Sequence, residues 1–316
     1  MGDSKYPAKV QTTYARKYGA LLLASMISFC LYGVGLLMVL QYFRRHSTND
    51  PMVLKVTVVV LVILATLQTV FASHQIYNAF ITKQGALDLL DEIVVSVPGK
   101  YICGYFTAFV AEVFFSSRIW IVGRSMRVQS RYFTVPALAL ALMQLSAGIA
   151  QGTIMRIAGK YSVLSMRTRR LIEMTTIQGV GAALSDIIIS ATLCYIFHSG
   201  RTAVGRTNSM INQLIKYAVN RALATSFCAV LSVLLYYFAS GTYYYQIPLL
   251  SSTPLYLISA VSMLTTREGL RERGDVSFHI TNLAMTTEKT SAEAEESHCD
   301  TSAHTTSVPN TEKSEA

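Results

Sequence analysis

Two carboxylates stand where a hydrocarbon environment makes them costly: Glu112, in the apolar stretch that begins at Pro98, and Asp186, in the one that begins at Leu171. Each lies about 14 residues into its stretch and the two stretches run the same way, so both carboxyls reach a similar depth near mid-membrane. A pair of acids at matched depth can exchange a proton or hold a cation. Each acid alone can instead join neighbouring helices as a hydrogen-bonded or protonated group. An aspartate at a helix centre costs ~2.5–3.5 kcal/mol, and each Ile, Leu, Val or Phe returns ~0.3–0.6, so roughly nine such residues offset it. The helix inserts, and Asp186 is expected to face the bundle interior, where Ser185, Thr192 or another helix supplies a partner.

Other ionisable residues near the apolar stretches are read as anchors. Arg118 and Arg221 fall toward the ends of the third and sixth stretches, where a long side chain snorkels to headgroups. His74, near the end of the second, reads as interfacial. Between the fifth and sixth stretches, Arg201, Arg206 and Lys216 are mixed with Thr202, Thr207, Asn208 and Ser209. That segment is a lipid-contacting loop or a docking surface for a partner outside the membrane, with Arg201, Arg206, Asn208 and Arg221 as its candidate residues.

No serine-nucleophile elbow, HExxH or phosphate-binding glycine loop occurs, so no enzyme is expected. The five cysteines form no CxxC pair, and no metal or cofactor is expected. The seventh stretch has no lysine for a retinal-type Schiff base, and the third closes on Ser117-Arg118-Ile119 rather than an acid-Arg-Tyr triplet.

The elements that position these residues follow from composition. The chain of 316 residues is 52% hydrophobic and 14% charged, against ~25% charged in soluble domains. The apolar residues gather in blocks long enough to cross ~30 Å of hydrocarbon at ~1.5 Å per helical residue. Seven spans are expected, at about 19–42, 52–80, 98–122, 132–155, 171–197, 217–240 and 243–264. The fold class is therefore all-α, an integral membrane seven-helix bundle at 19–265 with short loops.

Residues 1–18 form a polar N-terminal segment. From Asp275 onward the chain holds eight acids and two lysines among Ser, Thr and Ala, so 266–316 reads as a disordered tail. The net charge of +9 thus understates how basic the body is. Its cations stand between apolar blocks, which points to lipid headgroups and not to nucleic acid. They do not set the orientation, since one side receives 12 Lys/Arg and the other 11.

Several motifs add a family likeness: Leu184-Ser185-Asp186, Leu193-Cys194-Tyr195, Arg206-Thr207-Asn208-Ser209, Ile211-Asn212 and Thr225-Ser226, with weaker echoes in Leu31-Tyr32-Gly33 and Phe114-Phe115. In order and spacing this resembles a fungal, mainly mushroom-lineage, seven-transmembrane family of unknown function. The resemblance implies an extracytosolic N-terminus and a cytosolic tail, and it lends no activity. Arg221-Ala222 departs from the small residues usual there.

Three functions stay open: a receptor-like or sensory protein of the plasma membrane, a small proton- or cation-coupled transporter or channel using Glu112 and Asp186, and a structural or lipid-organising protein.

Overall fold

The computed structural model describes residues 8–45, 51–83, 91–125, 132, 134–166, 168–199, 205–238 and 242–265. These contain α1 (Ala8–Arg45), α2 (Met52–Tyr77), α3 (Ser96–Ser125), α4 (Thr134–Ala158), α5 (Tyr161–Met166), α6 (Thr168–Ser199), α7 (Gly205–Phe238) and α8 (Gln246–Thr265). All but the six-residue α5 are long and apolar enough to span a bilayer, which makes the chain a multi-pass, all-α seven-helix membrane protein.

The side-chain distribution is that of a protein solvated by lipid. On α4, Ala137, Ala141, Gln144, Ala147, Gly148, Gln151 and Gly152 are buried at helical spacing, while Val135, Leu138, Leu142 and Ile149 are exposed. Small residues inward let helices approach closely, and large apolar ones outward meet acyl chains. A Cβ on Gly148 would come within 2.3 Å of the Tyr105 ring, so α3 rests directly on the α4 backbone there.

The third helix is the hub. It packs against α2, α4 and α6, and it meets α8 where Gly104 lies beside Thr253. The main core runs through Ala111, Phe115 and Ile119 of α3, Ile189 and Leu193 of α6, and Leu257 and Val261 of α8.

Helix ends differ from the hydropathy boundaries in physically simple ways. Helix α1 begins at Ala8, inside the segment read as a polar N-terminal tail, because the stretch from Ala8 to Tyr18 contains neither Gly nor Pro to break a helix. Helix α7 begins at Gly205, not near Tyr217: Arg206 to Lys216 contains neither Gly nor Pro, and hydropathy cannot register a polar helical extension. The loop expected over 201–216 is therefore mostly helix. Arg206 and Asn208 lie on α7, and Arg201 lies outside the described residues, as do 1–7 and the tail 266–316.

At the end of α2 the chain relaxes into a π-turn, Asn78–Thr82. Helix α4 ends at Gly159, whose φ of 63° is the left-handed conformation that caps a helix and admits glycine readily. Its carbonyl accepts from the Ile93 amide at 2.8 Å, pinning the approach to α3 against the α4–α5 corner.

Candidate functional site

Four helices converge on a buried charged cluster. The Nη2 of Arg221 on α7 donates to Oδ1 of Asp186 on α6 at 2.7 Å, and the Tyr256 hydroxyl on α8 donates to the other carboxylate oxygen at 2.9 Å. The side chains of Arg221 and Asp186 are 2% and 1% exposed, so this pair is taken out of lipid and water alike. The guanidinium carbon sits 3.6 Å from the centroid of Phe115 on α3, a cation–π contact that replaces part of the lost solvation.

Glu112, one turn from Phe115, is fully buried. It accepts a hydrogen bond from Gln144 Nε2 on α4 and lies near enough to Asp186 and Arg221 to feel both charges. Among the described residues its Oε1 has no hydrogen-bond partner, and neither do Nε and Nη1 of Arg221. The cluster thus retains unused bonding capacity, unlike a fully closed network.

Arg221 corrects its sequence reading. It does not snorkel and is not a loop residue: it points into the bundle, because Asp186 and Phe115 offer a charge and a π-face that a headgroup would have to match. Asp186 finds its partners on other helices rather than in Ser185 or Thr192; the Thr192 hydroxyl bonds back to the Ile188 carbonyl. Arg118 lies farther along α3 than Glu112, half-buried, with its guanidinium 5.3 Å from the Phe114 ring. His74 is on the outer surface of α2, its Nδ1 3.1 Å from Ser96 Oγ, remote from the cluster.

A second buried cation escaped the sequence reading. Lys100, near the start of α3, is 1% exposed, and its Nζ donates to Gln75 Oε1 at 2.5 Å and Gln246 Oε1 at 2.8 Å. The signal available was helical phase: Lys100 shares a stripe with Thr107 and Ala111, both buried.

Between Lys100 and Tyr256 lies a cavity of about 50 Å³. Gln68, Tyr105, Gln151, Thr175, Gln178 and Thr253 contribute much of its polar wall. A water needs ~10–15 Å³ by this measure, so the space suits a few waters or one small polar molecule. Gln151 is held by the Tyr105 hydroxyl at 2.6 Å and itself donates to Thr175 at 3.1 Å, which ties α3, α4 and α6 around the cavity. Outside the membrane-spanning segments, Tyr243 stacks edgewise on Tyr18 and tilts against Tyr161. Burial raises the hydroxyls of Tyr161 and Tyr243 above the ordinary phenol range.

Residues 182–269 match a family of unknown function (DUF6534), a segment that contains Asp186, Arg221 and Tyr256 but neither Glu112 nor Lys100. No curated protein and no solved structure matches the chain.

Proposed function

We propose that this membrane protein is receptor-like or sensory, not an enzyme, and that the central cavity takes the molecule it senses. The observation that carries this reading is the placement of Tyr256: it lines the cavity, and its hydroxyl holds Asp186, whose other oxygen is paired with Arg221. A molecule entering the cavity meets the residue that steadies the joint between α6 and α7. If its contacts differ between two arrangements of that joint, binding shifts their populations.

The output side is the polar start of α7 and the Ser/Thr-rich tail, where added phosphate would change local charge. The likeness to the fungal seven-transmembrane family supports a plasma-membrane protein with its N-terminus outside and its tail in the cytosol. A cytosolic partner then docks on the 201–216 region and tail.

A second reading, a small proton- or cation-coupled transporter, draws on Glu112 lying beside the Asp186–Arg221 pair, with Tyr256, which holds Asp186, on the cavity wall. The two separate experimentally. Protein in liposomes is assayed for solute flux driven by pH or potential, beside capture of a cytosolic partner by residues 201–216 and the tail. The sensory reading expects a stable partner and no flux. Flux that disappears in Asp186→Asn contradicts it in favour of the transporter.

A further inference from the structure

We infer that the cavity is a site for a small carboxylate, with the carboxylate on Lys100 and a hydroxyl or amino group toward Gln68. This deepens the sensory reading and rests on it.

Three observations meet at this end of the cavity. Lys100 is a buried ammonium whose hydrogen-bond partners are two neutral amide oxygens, and among the described residues no carboxylate is bonded to it. An ammonium has three donors, so one N–H remains for an occupant. A buried cation is normally matched by an anion. Among the described residues none is bonded to Lys100, and Lys100 lines a cavity of the right size to admit one.

On the wall of the same cavity, Gln68 is 5% exposed and its Oε1 has no hydrogen-bond partner among the described residues. An acceptor left dry in this way suits a donor on the occupant. Gly104 lies close against this wall: a Cβ there would stand 3.2 Å from Thr253 Oγ1 and 3.3 Å from Gln68 Oε1, crowding that acceptor. At ~10–15 Å³ per water-sized unit, the cavity holds roughly three to five such units, and because bonded atoms overlap, a molecule of about six heavy atoms fits in that space. An α-hydroxy or α-amino carboxylate of two or three carbons meets all of these conditions. A bare inorganic anion would satisfy Lys100 and leave Gln68 without a partner.

The test uses the full chain in lipid nanodiscs, with thermal stability followed against sodium lactate, propionate, lactamide and chloride. Lactate is expected to stabilise saturably. Lactamide, lacking the charge, is expected to bind about tenfold to a hundredfold more weakly. Propionate falls between them, and Gln68→Leu removes its difference from lactate. Lys100→Met abolishes the lactate effect, and Gly104→Ala, which narrows the space without touching the lysine, weakens it.

Equal stabilisation by lactamide and lactate overturns the carboxylate assignment, as does equal stabilisation by chloride, no stabilisation by any carboxylate, or an undiminished lactate effect in Lys100→Met. The wild-type comparison of lactate with lactamide needs no folded variant. If lactate binds as described yet crosses vesicle membranes through the protein, the sensory reading fails while the carboxylate site stands. If lactamide binds as well as lactate and a cytosolic partner responds, the reverse holds.

Discussion

Arg221 on α7 and Asp186 on α6 form an ion pair at 2.7 Å with both side chains almost wholly buried, and Tyr256 on α8 donates to the same carboxylate at 2.9 Å. Three helices are thereby tied at one point, within the segment that matches the family of unknown function. Removing either charged member leaves the other stranded in a low-dielectric interior, which costs ~3–5 kcal/mol. Arg221→Met and Asp186→Leu should each destabilise by that amount in equilibrium unfolding from bicelles. The double variant should recover most of the loss, because no charge of the pair is left stranded and only the Tyr256 hydroxyl loses its acceptor; additive losses would show that the pair is not coupled.

Tyr256→Phe keeps the ring and removes the hydroxyl. A hydrogen bond to a charged group contributes ~1.5–3 kcal/mol, although interhelical bonds in membranes average nearer ~0.6. A loss of about 1 kcal/mol, with the α6–α7 joint loosened in hydrogen exchange, is expected. No change in either measure would mean that Tyr256 fills space and does not steady Asp186.

Gly148 is the tightest of the helix contacts. A Cβ would lie 2.3 Å from the Tyr105 ring, so Gly148→Ala must displace a side chain whose hydroxyl also holds Gln151. Overpacking of this kind costs ~1–3 kcal/mol. Gly159→Ala, which has no atom within 4 Å of its Cβ but sits at a φ of 63°, should cost less, through backbone strain alone. Thermal melts of the two variants in the same detergent would rank them.

How far the sequence reaches is visible in particular residues. The seven spans were legible because lipid imposes long apolar blocks, and the interior position of Asp186 followed from its cost. The first turns of α1 and α7 were not, since a polar helix leaving the membrane carries no hydropathy signal. Arg221 was misread because its distance from the end of an apolar stretch tells nothing about what waits across the helix interface. Asp186 and Phe115 are 35 and 106 positions away in the chain. Lys100 was passed over although it lies inside the expected 98–122 span, because a cation so near the start of a span is grouped with the flanking charges. The cavity joining Lys100 to Tyr256 is a product of six helices packing together, and no local pattern encodes it.

The inside and outside of α4 differ by one residue. Ala141 is fully buried and Leu142 is 53% exposed. Spin labels placed singly at these positions in a bilayer should differ sharply in collision with dissolved oxygen, high at 142 and low at 141, while both stay shielded from a water-soluble relaxant. Access of the water-soluble relaxant to position 142 would contradict the bilayer placement of α4.

The account as a whole turns on whether the cavity governs the α6–α7 joint. The direct measurement is the distance between spin labels on lipid-facing positions of those helices, Leu184 and Phe227, in nanodiscs with and without lactate. A distance distribution that shifts with lactate in the wild-type protein, and no longer responds in Lys100→Met, is the predicted result. An unchanged distribution under conditions where lactate demonstrably binds would contradict it.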